Sequence, residues 1–439
     1  MTWKELYRSK LVSADQAMRV VRSGDTVFLH QGCSEPEACV AALVRRAGEL
    51  RDVTIVHMMT YGTAEYTKPE YEGIFRHNAF FIGANVRQAV QDARADYVPI
   101  FLHEIEGLFE SGQMPLDVAV IQCTPPDEHG YMSLGAGVDI NFAAIRAARH
   151  VIFEVNDQAP RTLGNSFVHV RQADRIVEAS YPLAEHHTGE VEDVHRQIAR
   201  RIAEMVPDGA TLQTGIGAVP ETLLTYLKNH KDLGIHSEMF SDGVIDLMEC
   251  GVINNARKTL HPYKAIAGFV LGTKRLFDFI HNNPAIELHP TSYVNNPFVI
   301  AQNDRMVAVN AALEIDLTGQ VCSDSIGPKP YSGIGGQVDF IRGAAHSKGG
   351  LPIITICSTA RNGSISRIVP ALKPGAGVVT SRGDVHYVVS EYGVAYLHGK
   401  NIRQRAEALI AIAHPNYREE LIRAAEQMGL FRRSAALPA

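Results

Sequence analysis

The stretch Thr26-Val27-Phe28-Leu29-His30 runs into Gly32-Cys33-Ser34-Glu35-Pro36, and helical periodicity follows from Ala38 to Arg46. A β-branched and apolar run, then small residues and proline, then a 3.6-residue repeat reads as strand, tight turn, helix. That succession is one α/β unit, with its loop at the carboxyl end of the strand. Upstream, Ala17, Val20 and Val21 fall on one face of a helix expected from Ala14 to Arg22.

The same events return after about 185 residues, a period that is domain-sized and far above that of a solenoid. Gly209-Ala210-Thr211-Leu212-Gln213 leads into Thr214-Gly215-Ile216-Gly217-Ala218-Val219-Pro220, and a helix is expected from near Glu221. Gly24, Thr26, Gly32 and Pro36 find counterparts in Gly209, Thr211, Gly217 and Pro220 once a gap is allowed. Farther on, Asp127-Glu128-His129-Gly130-Tyr131-Met132-Ser133 is echoed by Asp316-Leu317-Thr318-Gly319-Gln320-Val321-Cys322, each after an apolar run.

Two segments repeating in register predict an α/β fold of two related open domains born of an internal duplication. The polar stretch between Tyr181 and Val194 carries no apolar periodicity and precedes a helix expected from Val194 to Met205. It serves as the expected boundary, with domains over 1–185 and 190–439.

Composition narrows the function. The 439 residues are 46% hydrophobic and 21% charged, the balance of a globular protein. A net charge of -6 gives no footprint for nucleic acid. No apolar run reaches the roughly 18 residues that a membrane helix needs, and Met1-Thr2-Trp3-Lys4-Glu5 lacks the apolar heart of a signal peptide. A cytoplasmic protein without nucleic-acid or membrane partners is expected. Cys33, Cys39, Cys123, Cys250, Cys322 and Cys357 show no paired spacing, so reduced thiols are expected in place of zinc ligands or disulfides. His186, His187 and His195 have loose spacing, and no metal site is expected there.

Three segments have the composition of a reactive site. Gly215-Ile216-Gly217 before a helix can direct N–H groups at a phosphate or oxyanion, or simply form a tight turn. It lacks the third glycine of a dinucleotide fingerprint. His236-Ser237-Glu238-Met239-Phe240-Ser241-Asp242-Gly243 sets a carboxylate among apolar and small residues, where it is either held structurally or reactive; the residues alone favour the former. Ser332-Gly333-Ile334-Gly335-Gly336-Gln337 again demands close backbone approach, before a helix expected from Val338.

Taken in order, these segments resemble the acetyl-CoA hydrolase/transferase family, a branch of the class I CoA-transferases. Ser390-Glu391-Tyr392-Gly393-Val394-Ala395 and Pro125-Pro126-Asp127-Glu128-His129-Gly130-Tyr131 add to the likeness, which covers most of the chain. The resemblance implies that Glu238 is the nucleophile, that Gly215, Ile216, Gly217, Ala218, Val219, Gly333, Gly335, Gly336 and Gln337 contact CoA or stabilise an oxyanion, and that the site lies in the cleft between the domains. The first domain would shape the acyl pocket.

The implied reaction moves CoA between short-chain carboxylic acids through a glutamyl-CoA thioester, with coenzyme A as substrate and neither prosthetic group nor metal. Asn295, Asn296 and Arg361 are further candidates for substrate or CoA contact, against readings as a turn before Pro297 and a solvated loop arginine. Glu391 is a rival acid, and Glu35 and Glu37 read as charges at a helix N-terminus. A hydrolase using the same glutamate, or a non-catalytic CoA-sensing protein, would carry much the same residues. A homodimer or homotetramer is the expected assembly.

Overall fold

The computed structural model describes residues 1–187, 189–215 and 217–432. Strands of the first half are β1 (Thr26–Leu29), β2 (Val53–His57), β3 (Phe75–Ala79), β4 (Asp96–Tyr97), β5 (Val118–Cys123), β6 (His150–Asn156) and β7 (Arg175–Ala179). In the second half the main strands are β8 (Thr211–Thr214), β9 (Gly234–Phe240), β10 (Ala265–Val270), β11 (Ile286–Leu288), β12 (Met306–Ala311), β13 (Leu351–Thr355), β14 (Tyr387–Ser390) and β15 (Gly393–Tyr396).

The chain forms two compact units: Met1–His187 with Ile235–Asp246 and His261–Asn296, and Thr188–Gly234 with Leu247–Leu260 and Pro297–Ala439. The first break falls inside the polar stretch between Tyr181 and Val194. The division is nevertheless not one of sequence halves, because two segments of the second half pack with the first.

In the first unit, β4-β3-β2-β1-β5-β6-β7 form a parallel sheet. All six residues of β5 are buried, as a strand covered on both faces requires. The core includes Val27, Leu29, Val40, Leu43, Ile55, Val118, Val120 and Ile152, drawn from strands and from the helix Glu37–Arg45. Because β1 pairs with β2 on one side and β5 on the other, the connections diverge there, the switch in strand order at whose carboxyl ends open α/β sheets place their ligands. The same unit holds the parallel ladder β9-β10-β11. Residues 136–139 of the first half meet it directly: Val270 N–H donates to Ala136 O over 2.8 Å and Val138 N–H to Gly268 O over 2.9 Å.

The second unit carries β8-β12-β13-β14 in parallel, closed by the antiparallel β15. The order of pairing repeats that of the first half: β8-β12-β13-β14 follows β1-β5-β6-β7, and β9-β10-β11 follows β2-β3-β4. The Asp-x-x-Gly echo is geometric as well. Asp127 Oδ1 accepts the N–H groups of His129 and Tyr131, both at 2.9 Å. Asp316 Oδ1 accepts those of Thr318 and Gln320, at 2.9 and 3.0 Å. Gly130 (φ 86°) and Gly319 (φ 94°) supply the left-handed residue that each turn needs.

Helix boundaries shift by small amounts from those read in the sequence. The helix expected over Ala14–Arg22 ends at Met18, held by a capping box between Ser13 and Gln16. Those expected from Ala38, Val194 and Val338 begin one residue earlier, at Glu37, Asp193 and Gln337. The one expected near Glu221 starts at Ala218, because Pro220 sits in the first turn, where its missing N–H costs no hydrogen bond. Among the described residues no helix is long and apolar enough to cross a membrane.

Candidate active site

Glu238 lies on β9, whose other six residues are buried while Glu238 itself is half-buried. Asn295 Nδ2 donates to Glu238 Oε2 over 2.9 Å. Alternation along a strand sends residues 236 and 238 to the same side, and His236 Nε2 lies 2.9 Å from Val294 O, so both reach the turn at 294–295. Close approach of β10 depends on Gly268: a Cβ there would stand 3.1 Å from Glu238 O and 3.4 Å from Thr291 Cγ2.

The turn bearing Asn295 is anchored from the first half. Ser292 N–H donates to Glu106 Oε1 over 2.8 Å, and Thr291 N–H to Asp139 O over 3.0 Å. Burial pushes the Glu106 carboxyl up, and the bonds from Ser292 partly oppose this. Asn295 is wholly buried, and its Oδ1 has no hydrogen-bond partner among the described residues. Sequence reading passed over Glu106; it stands in the helix Ile105–Glu110 with no motif around it.

At the carboxyl ends of β1 and β2 a second buried polar group appears. Glu35, 2% exposed, accepts the Thr60 hydroxyl, and burial pushes its carboxyl up to about 7. Asp139, also buried, is pushed up to about 7 for the same reason, with the Gln31 side chain opposing. The reading of Glu35 as a helix N-terminal charge is corrected here. Glu37 takes the first helical turn, and Glu35, on the other side of Pro36, turns inward against Gly62, where an added Cβ would collide with its carboxylate.

The remaining candidates, apart from Asn296, lie in the second unit. Gly217, at φ 124°, caps the helix Ala218–Tyr226, in which Val219 is buried; Gly215 directly follows β8, and Ile216 lies outside the described residues. Gly336 caps the helix Gln337–His346 and follows Gly335 at φ 54°, with Gly333 just before them. Gln337 Nε2 donates to Thr380 Oγ1 over 2.9 Å. Both glycine segments thus end at helix N-termini, where N–H groups lack intrahelical acceptors and the dipole favours anions.

Glu391 is nearly buried, and its carboxylate accepts the Ser358 N–H at 3.0 Å and the Ser358 hydroxyl, while its carbonyl accepts from Arg201. Arg361 is exposed at the tip of a turn, with φ 49°. Asn296 is half-buried beside Asn295. The structure therefore brings Glu238 together with Asn295, and it gives Glu391 the partners of a structural tether.

Comparison with known proteins sets this geometry in context. The model of the acetyl-CoA hydrolase/transferase N-terminal domain matches residues 1–183, and that of the C-terminal domain matches 272–425. A 4-hydroxybutyrate coenzyme A transferase of Clostridium kluyveri is 52% identical over 96% of this chain and 98% of its own length. A succinyl-CoA:cyclohexane-1-carboxylate CoA transferase of Geobacter metallireducens is 45% identical over 97% of both. Among solved structures, 4-hydroxybutyrate CoA-transferase from Porphyromonas gingivalis superposes with a TM-score of 0.84 at 41% identity, covering 97% of this chain and 100% of that one. RipA from Yersinia pestis gives 0.93 at 36% identity, covering 98% and 100%.

Relatives at 45 to 52% identity over nearly their whole length, CoA transferases by name, make the chain an enzyme of the CoA-transferase type. The chain belongs to the acetyl-CoA hydrolase/transferase family.

Proposed function

We propose that the enzyme transfers CoA between short-chain carboxylic acids through a thioester on the side chain of Glu238. The observation that carries the reading is the Asn295–Glu238 hydrogen bond, which orients a half-buried carboxylate on a rigid strand. One carboxylate oxygen then attacks the acyl-CoA carbonyl, giving an acyl-glutamyl anhydride and a CoA thiolate. The thiolate attacks the glutamyl carbonyl, the donor acid departs as carboxylate, and the enzyme keeps CoA as a thioester. The acceptor carboxylate attacks this thioester, and the same two steps run in reverse to release the new acyl-CoA. Protons need not be exchanged with solvent at any stage.

Each addition passes through an oxyanion. Backbone donors preorganised for it are worth roughly 3 to 4 kcal/mol apiece, and that role is assigned to the segments Gly215–Val219 and Gly333–Gln337. Confining the thiolate beside the anhydride supplies effective molarity, so CoA binding is part of the chemistry. Arg361 and Asn296 are assigned to substrate or CoA contacts, and Glu391 to holding Ser358. The names of the relatives make 4-hydroxybutyryl-CoA with acetate the first pair to assay.

The proposal extends to a cytoplasmic homodimer or homotetramer without a prosthetic group. Six unpaired cysteines suit a reducing compartment, and closed symmetric assemblies are the commonest. The test is incubation with acyl-CoA in the absence of acceptor, followed by peptide mass analysis. A CoA adduct on Glu238, converted by borohydride to the alcohol, supports the reading; active enzyme with Glu238 unmodified overturns it. Thiol release independent of added acetate would identify a hydrolase instead.

A further inference from the structure

We propose that His261, Glu287 and His289 form a binding site for a divalent cation of the zinc class, separate from the transfer chemistry. One ligand atom from each of the three lies within 4.8 Å of the others. Glu287 Oε2 stands 3.2 Å from His289 Nε2 and 3.8 Å from His261 Nδ1. Ligands bonded at about 2.1 Å to a tetrahedral ion are roughly 3.4 Å apart, so these contacts already have nearly the required spacing.

The backbone explains why they converge. Glu287 is on β11 and His289 follows two positions later, so an extended chain sends both side chains to one side. His289 N–H is fixed by Ala267 O at 2.9 Å. His261 reaches the same place from the turn before β10, where His261 (φ 50°) and Tyr263 (φ 66°) both adopt a left-handed conformation that non-glycine residues rarely take.

The donor set selects the ion. Two imidazoles and one carboxylate match zinc and its borderline neighbours and are a poor match for calcium or magnesium, which take oxygen ligands. His261 Nε2 lies 2.7 Å from the Tyr293 hydroxyl, leaving Nδ1 turned toward Glu287, the kind of outer contact that sets the tautomer and direction of a ligating ring. Lys264 Nζ sits 3.4 Å from the other oxygen, Oε1, which leaves Oε2 for the ion and moderates its affinity. Three protein ligands leave a fourth position to water. Tyr293 precedes Asn295 by two residues, so an ion here would brace the segment that carries the Glu238 partner.

The test uses the full chain, stripped with chelator and titrated with zinc chloride by calorimetry, and separately with cobalt(II) followed by visible absorption. One equivalent is expected, with cobalt giving the intense bands of a low-coordinate site and zinc raising the melting temperature. Glu287→Gln and His289→Ala should each weaken zinc binding by at least tenfold and abolish the thermal shift, whereas His187→Ala, at an exposed histidine, should leave both intact. Should His289→Ala fail to fold, Glu287→Gln decides, being nearly isosteric. Equal affinity in Glu287→Gln and the parent, absence of a saturable equivalent, or a cobalt spectrum of the hydrated ion would overturn the assignment.

Discussion

The side-chain amide of Asn295 points its Nδ2 at Oε2 of Glu238 across 2.9 Å, from the end of a helical turn that Glu106 anchors at Ser292. Hydrogen bonds to charged groups contribute about 1.5 to 3 kcal/mol. Asn295→Ala is therefore expected to lower kcat/KM by roughly 10- to 150-fold while the thioester still forms slowly. Asn295→Asp, which sets a second carboxylate beside the first, should lose more. Steady-state transfer assays and single-turnover adduct formation check both.

Replacing the proposed nucleophile itself is a sharper cut. Glu238→Ala should reduce turnover on the order of 10⁶-fold, the scale seen when a covalent catalyst loses its attacking group. It should also yield no CoA adduct at any time. Turnover at the parental rate would remove Glu238 from the mechanism.

Gly268 is a position where an extra methyl group fits only if its neighbours give way, with the Glu238 carbonyl 3.1 Å from the would-be Cβ. Overpacking of this kind costs about 1 to 3 kcal/mol, so Gly268→Ala should lower the unfolding free energy measured by urea denaturation by that amount and move the midpoint down. Because the displaced strand carries Glu238, kcat should fall in the same variant. An unchanged midpoint would mean that β9 and β10 yield without strain.

The buried acids make stability fall as the solution becomes more alkaline. Glu35 titrates near 7 in the folded chain against an ordinary 4.5, and Asp139 near 7 against 3.8, in both cases because burial disfavours the charged form. Between the unfolded and folded values the native state binds more protons, so unfolding free energy decreases with rising pH from about 4 to 7. The penalty is absent below that window and complete above it. For Glu35 it amounts to roughly 3 kcal/mol at pH 8 as an upper bound. Glu35→Gln should flatten this slope in denaturant titrations at pH 5 and 8; an unaltered slope would show that Glu35 stays ionised throughout.

Much of this architecture is written locally. The strand, turn and helix around Thr26–Pro36 and their repeat at Thr211–Pro220 were legible because periodicity, glycine and proline act within a few residues. The Asp127 and Asp316 turns were legible for the same reason. Glu238 was singled out through its motif, since the neighbouring residues alone favoured a structural acid. Three things were not visible. Local patterns do not say that residues 235–246 and 261–296 pack with the first half, because partner choice is set by non-local burial. In Glu35-Pro36-Glu37 two like side chains flank a proline, and only contact with Thr60, 25 residues away, separates the buried acid from the helical one. His261, Glu287 and His289 lack metal-ligand spacing and meet only because β10 and β11 pair.

The sharing of one compact unit between Met1–His187 and the segments Ile235–Asp246 and His261–Asn296 has a consequence for biosynthesis. Chains emerge from the ribosome at about 5 to 20 residues per second. The amino-terminal sheet is therefore outside the tunnel for seconds before β10 arrives to cover residues 136–139. Over that interval an apolar seam stays open to chaperones. A gene split after codon 187 would yield two fragments, of which the second lacks the partner needed to seat Glu238.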